Sequence, residues 1–283
     1  MDAGGLPTRK MKHIVNFSGG ICSLWSAVRV KERHGTKDMV LLFADVLIED
    51  AELYIFNEQC AKYLGVPITR VSREKTPFDL FQEEGMIANS RFPICSIKLK
   101  RKVLDEWHRS NCLEMDSTIY IGFDWEELGR LENLRQKLPY WNIQAPMTEE
   151  PIWDKCRMIA ETEQLGIIVP RLYRLGFPHN NCGGGCVQAG ISHWIHLIET
   201  LPDVYAKWEA DELKCQQVLK ARGISNWKFT MLKDRRGGIK KPLTLRQLRL
   251  RYESGERFNK FDWGTCGCGK EYESVSRDNR ENE

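Results

Sequence analysis

The chain has 283 residues with 42% hydrophobic and 29% charged side chains, enough to bury a full core and typical of a soluble globular protein. A formal net charge of +3 excludes a molecule that grips polyanions over its whole surface, and no apolar stretch approaches the roughly 20 residues of a membrane span. The first residues, MDAGGLPTRKMKH, lack the apolar region of a secretory signal, so the ten cysteines are expected in the reducing cytoplasm. There, cysteines bind metal, catalyse or fill the core.

In chain order, residues 1–10 read as a flexible leader. Over residues 11–150, strand-like apolar runs alternate with amphipathic ones. Strands are expected at 13–17, 39–43, 68–71 and 118–121, and helices at 21–34, 51–64, 76–81 and 98–110. The alternation predicts an α/β fold: a doubly wound, mostly parallel sheet, with ligands bound beyond the strand C-termini at the switch point. Ser18, Asp45 and Gly122 all fall just past expected strand ends. Residues 151–272 read as a helical, cysteine-bearing C-terminal region, with helices expected at 152–165, 169–175, 191–200 and 204–221. Within it, 175–190 is a Gly- and Asn-rich loop and 228–251 a basic segment. Residues 273–283 lack apolar anchors and are expected to be disordered.

The run HIVNFSGGICSLWSAVRV carries the densest information. Ile14, Val15 and Phe17 form a strand that runs into Ser18-Gly19-Gly20, and a helix opens at Ile21 with Leu24, Ala27 and Val28 on one face. Such a turn aims backbone N–H groups, and the positive end of the helix dipole, at whatever lies above it. Gly19 and Gly20 permit close approach and positive φ, and the Ser18 and Ser23 hydroxyls can donate to phosphate oxygens. The unit is a phosphate cradle.

Cys182-Gly-Gly-Gly-Cys186 and Cys266-Gly-Cys268 place two cysteine pairs in glycine-rich loops, which can fold four thiolates toward one zinc ion or an iron–sulfur cluster. Spacing does not choose between the metals. Cys95 joined to Cys182 and Cys186 is an alternative three-cysteine set, while Cys60, Cys112, Cys156 and Cys215 read as core or surface thiols. By periodicity alone Lys98, Lys100 and Arg101 are a solvated face, Glu127 and Arg130 an i, i+3 surface pair, and Asp45 and Glu49 helix caps. Lys233 to Arg251 reads as a solvated basic face or a docking strip for nucleic acid, with Trp227 and Tyr252 as stacking or core aromatics.

Ser18-Gly19-Gly20-x-x-Ser23 resembles the pyrophosphate loop of the N-type ATP pyrophosphatases, the PP-loop superfamily that includes the PAPS reductases; Cys22 stands where that family often has Asp. The acid-ending strand at Asp45, the segment Cys95-Ser96-Ile97-Lys98-Leu99-Lys100, the strand end Gly122 followed by Glu127-x-x-Arg130, and Cys182, Cys186 and Trp194 resemble successive pieces of the family's phage and bacterial PAPS reductase-like branch. The resemblance spans roughly residues 11 to 202. It implies a five-stranded, adenine nucleotide alpha hydrolase-like sheet. It further implies nucleotide binding by Ser18, Gly19, Gly20, Ser23, Asp45, Lys98, Gly122 and Arg130 and catalysis by Asp45, Glu127 and Cys95; the metal expected at Cys182, Cys186, Cys266 and Cys268 rests on the glycine-rich pairs themselves. The implied cofactors are ATP or PAPS, Mg²⁺, and a [4Fe-4S] cluster or Zn²⁺. Implied partners are the adenine nucleotide, a nucleic acid or sulfur-donor protein, and a second copy of the chain, in the cytoplasm of a bacterium or of a phage's host.

Three activities stay open on the sequence. One is AMP-forming ATP chemistry coupled to sulfur transfer. Another is sulfonucleotide (PAPS) reduction, against which stands the missing Glu-Cys-Gly-x-His segment, nearest to Thr265-Cys266-Gly267-Cys268-Gly269 here. The last is a non-catalytic nucleotide-binding module with structural zinc.

Overall fold

The computed structural model describes residues 11–224, 229–234 and 240–264. In chain order its elements are β1 (Lys12–Asn16), α1 (Ile21–His34), β2 (Met39–Asp45), α2 (Ala51–Leu64), β3 (Ile68–Ser72), α3 (Pro77–Glu84), α4 (Lys102–Asn111) and β4 (Ser117–Ile121). There follow α5 (Leu128–Lys137), β5 (Asn142–Gln144), α6 (Lys155–Gln164), α7 (Arg171–Arg174), α8 (Ile191–Thr200), α9 (Pro202–Ala221), β6 (Leu232–Asp234), β7 (Lys241–Leu243) and α10 (Leu245–Glu253). They form two compact units: one holds the chain up to Asp45, Ala51–Ser72 and Arg101–Pro170, the other Val46–Asp50, Arg73–Lys100 and the chain from Arg171.

The first unit is built on a five-stranded sheet in the order β3-β2-β1-β4-β5, parallel throughout. The doubly wound α/β sheet expected from the sequence is therefore present. Ile14 of β1 pairs with Val40 on one side and Ile119 on the other. The order steps one way from β1 to β3 and then jumps back past β1 to β4. With right-handed crossovers, that reversal puts α1 and α2 on one face and α4 and α5 on the other. Ile14, Leu42, Ile119 and Ile143 pack with Leu131 and Trp141 into a buried cluster.

α1 is buried along most of its length, from Ile21 to Val30. Even Arg29 is inside, where its guanidinium donates to the carbonyls of Pro146, Glu149 and Pro151 and so ties down the 3₁₀ turn Pro146–Thr148 and the chain after it. Trp25 Nε1 donates to Met158 O at 2.8 Å, which ties α6 to α1. α6 begins later than its sequence pattern suggests, because the Asp154 carboxylate accepts the Arg157 N–H at 2.7 Å and caps the helix there. The helix expected at 98–110 is divided: a π-helical stretch, Ser96–Arg101, precedes α4.

In the second unit α3, α8, α9 and α10 enclose a core rich in aromatic rings, with Trp194 packed edge-on against Trp208 at 5.4 Å. Glu212 of α9 is buried in this core, and its carboxylate accepts the N–H groups of Leu245 at 2.7 Å and Met231 at 3.3 Å. It thereby pins α10 and the β6–β7 hairpin to α9, while burial pushes its pKa up to about 8. Two cations of the basic segment are paired inside this unit. Arg249 is held by Glu209 and Glu253, Arg251 by Asp234 and Glu256, and Tyr252 donates to Glu199 at 2.6 Å. Trp227, Arg235 and Arg236 lie outside the described residues. No helix among the described residues is long and apolar enough to cross a membrane.

Candidate functional site

The loop after β1 has the shape its sequence anticipates. Gly19 has φ +78°, and a Cβ there would stand 2.8 Å from Leu53 and 2.9 Å from Asn57 Oδ1. Only glycine fits this position. Gly20 is extended, and α1 starts immediately after it with no acidic residue in its first turn, so nothing offsets the positive end of its dipole. Ser23 Oγ donates to Gly20 O at 2.7 Å and accepts from Gly20 N at 3.2 Å. Its proton is thus spent on shaping the loop, and the exposed hydroxyl is that of Ser18, 3.4 Å from Ser23 Oγ.

Gly122 closes the other side. It follows β4, the strand beside β1, and a Cβ on it would meet the backbone N and Cα of Ser23, both at 2.8 Å. The strand end and the first turn of α1 are in backbone contact. The loop therefore sits at the topological switch point, where parallel sheets bind ligands.

Acidic side chains line the same unit. Asp124 is buried; its Oδ1 accepts from Glu126 N at 3.1 Å and its Oδ2 lies 3.9 Å from Cys22 Sγ. Cys22, at the position where the resembled family often has Asp, is thus placed beside a carboxylate that arrives from another strand. Glu127 accepts from Asp124 N at 3.3 Å, and burial pushes its carboxyl above the usual range, partly offset by Arg130. Arg130 pairs with Glu127 and lies 4.7 Å over the Phe123 ring, with its side chain 64% exposed. Asp45, 2% exposed at the end of β2, accepts from Tyr54 OH at 2.9 Å and from Arg70 Nε at 2.8 Å.

The second unit gathers sulfur. Cys182 has φ +57°, followed by Gly183 at +60° and Gly184 at +88°. The Cys182–Gly184 turn is tightly pinned: a Cβ on Gly183 would meet Ile48 O at 2.9 Å, and one on Gly185 would fall 2.2 Å from the Trp208 indole. Cys182 N donates to the Glu49 carboxylate. Lys100 Nζ reaches Glu49 Oε1 at 3.1 Å and lies 3.9 Å from Cys182 Sγ. Gln188 N donates to Cys186 Sγ at 3.4 Å.

Burial pushes the Cys95 thiol up to about 11, helped by Cys186, and raises Cys182 against the pull of Lys100. Burial alone would lower the Lys100 ammonium, but Cys182 and Glu49 more than offset it, so the lysine stays charged. Cys95, Cys182 and Cys186 thus interact electrostatically around one ammonium. Among the described residues no three His, Cys, Asp or Glu side chains stand in position to hold a metal ion. Cys266 and Cys268 lie outside the described residues, and with them the expected four-cysteine set.

Of the two lysines, Lys98 pairs with Glu84 at 2.6 Å with its side chain 44% exposed, while Lys100 is the one beside the sulfurs. Sequence reasoning also passed over Asn57 and Asp124. Both come to the loop from elements distant in sequence, and neither carries a local pattern.

No protein-family model matches the chain, and no curated protein does. Among solved structures it is similar to the U34-tRNA thiolase NcsA from Methanococcus maripaludis with its [4Fe-4S] cluster, at 14% identity and a TM-score of 0.42, over 76% of this chain and 73% of that one. The likeness is one of fold alone.

Proposed function

We propose that this chain is a PP-loop enzyme that binds ATP, splits it between the α- and β-phosphates, and couples adenylylation of an acceptor to sulfur transfer. The observation that carries the reading is the backbone contact of Gly122 with Ser23, which seats the glycine loop at the switch point beside the N-terminus of α1. An acceptor oxygen attacks the α-phosphorus, pyrophosphate leaves, and sulfur then displaces AMP. The cradle of Ser18, Gly19 and Gly20 stabilises charge on the departing pyrophosphate, and Ser23 and Gly122 hold the cradle in shape. Arg130 is an exposed cation of the same unit and would reach phosphate by leaving Glu127. Glu127, its carboxyl raised by burial, is the candidate base for the acceptor. Asp45 and Asp124 are the acids suited to Mg²⁺, which would neutralise the phosphate oxygens.

The second unit carries the donor type of a sulfur-bound metal group, but among the described residues its thiols are not gathered around a single ion. Cys95, Cys182 and Cys186 are thiols in mutual electrostatic range, with a charged lysine and a backbone N–H directed at sulfur. Cys182 and Cys186 would supply two of the thiolates of a [4Fe-4S] cluster or a zinc site, completed by Cys266 and Cys268 or by Cys95. An iron–sulfur group bound there would supply a site for the transferable sulfur.

The test is product analysis with ATP and Mg²⁺ under anaerobic conditions. AMP with pyrophosphate is the expected result. ADP with phosphate, lost on loop mutation, contradicts the proposal, and sulfite formed from PAPS moves the assignment to the reductase.

A further inference from the structure

We infer that His193 is the positioning residue of the Cys182–Cys186 loop, a neutral donor that fixes the Gly184 carbonyl and, through it, the direction of both thiols. The inference rests on the sulfur-site reading above. His193 lies on α8 and is fully buried, with Nε2 2.7 Å from Gly184 O. A carbonyl oxygen only accepts, so Nε2 carries the hydrogen and Nδ1 is bare. That Nδ1 is buried with no hydrogen-bond partner among the described residues. The ring sits among Phe177 at 5.3 Å, His179 at 6.0 Å, Trp194 at 6.4 Å and Trp263 at 6.0 Å. Burial pushes its pKa down to about 3, so the ring stays neutral.

For packing alone this is a poor choice of residue. An apolar side chain would fill a cage of rings without stranding a buried nitrogen. What the imidazole adds is one N–H, aimed at the middle of the loop. The flanking residues are held by other means: Cys182 N by Glu49, and Gly185 by the face of Trp208. Gly184, at φ +88° with Leu197 and Leu172 within 3.2 and 3.3 Å of its would-be Cβ, cannot be anchored by a side chain of its own. The His193 bond completes a loop fixed at positions 182, 184 and 185, with a thiol at each end. Partners that orient ligands in this indirect way typically change metal affinity about 10–100-fold when removed.

The test uses the full, reduced chain with Co²⁺ as the metal probe. His193→Met removes the donor, and His193→Gln keeps an N–H at similar reach. We expect the Met variant to remain folded with a modestly lowered melting temperature, to bind Co²⁺ at least about 10-fold more weakly with an altered d–d absorption pattern, and to expose Cys182 and Cys186 to faster alkylation by mass spectrometry. The Gln variant should restore all three readouts. A folded Met variant with the wild-type cobalt spectrum and alkylation rates overturns the inference, as does equal impairment of Met and Gln. If the Met variant does not fold, His193→Asn, too short to reach the carbonyl, takes its place against Gln with the same two outcomes. If the wild type binds no Co²⁺, the metal reading of the sulfur site fails, while the alkylation rates in the metal-free protein still decide the role of His193.

Discussion

Gly122→Ala is expected to weaken ATP binding by about 10–100-fold while the protein remains folded. The new methyl would stand 2.8 Å from the backbone N and Cα of Ser23. Backbone atoms cannot rotate away, so β4 and the first turn of α1 must part. Overpacking of this kind costs about 1–3 kcal/mol of stability. The larger consequence falls on binding, since the loop donors move off phosphate oxygens to which each hydrogen bond contributes about 1.5–3 kcal/mol. Ser18→Ala removes a single exposed hydroxyl and should cost less than Gly122→Ala. Calorimetric titration of ATP, paired with thermal melts, checks the order. Wild-type affinity in folded Gly122→Ala would remove the loop from nucleotide binding.

Glu49→Gln is expected to destabilise the protein by about 3 kcal/mol, near the low end for breaking a buried ion pair. The Glu49 side chain is fully buried, whereas that of Lys100 keeps 25% exposure, which lets water soften the loss. The amide leaves the Lys100 ammonium without its carboxylate beside the Cys182 sulfur. The contrast is Lys98→Ala, which removes an exposed pair with Glu84 and should cost no more than about 1 kcal/mol. Urea denaturation of the two variants measures the difference. Equal, small effects would mean that the Glu49–Lys100 pair contributes nothing beyond a surface bridge.

The parts of the fold readable from sequence are those whose signals are local. α1, α2 and α8 match their expected ranges because apolar periodicity runs through each. α1 and α2 are also stopped by Gly35 and Gly65, both at positive φ. β5 had no such signal. Asn142-Ile143-Gln144 has one apolar residue, and it is a strand only because it pairs with Thr118–Tyr120. Two arginines of the basic segment differ from their sequence reading for a related reason. Arg249 and Arg251 look solvated in sequence, but their acids come from α9, β6 and the chain just after α10.

The site divides in the same way. The glycine loop was legible because strand, turn and helix adjoin in sequence. The place of Lys100 beside Cys182 was not legible locally, since Glu49, which pairs with it, is 51 positions away. Asp124 becomes a neighbour of Cys22 only when β4 lies beside β1. His193 reads as one more residue of an apolar helix, and its role comes from a carbonyl in a preceding loop.

The most direct test of the phosphate-cradle reading is a competition titration. Wild-type protein is loaded with a fluorescent ATP analogue in Mg²⁺ and challenged in turn with pyrophosphate and with AMP; Gly122→Ala is challenged in parallel. A loop that holds the leaving group predicts that pyrophosphate displaces the analogue competitively, that AMP does so far more weakly, and that Gly122→Ala loses affinity for the analogue and for pyrophosphate together. AMP competing as well as ATP, with pyrophosphate leaving the analogue in place, would contradict the account.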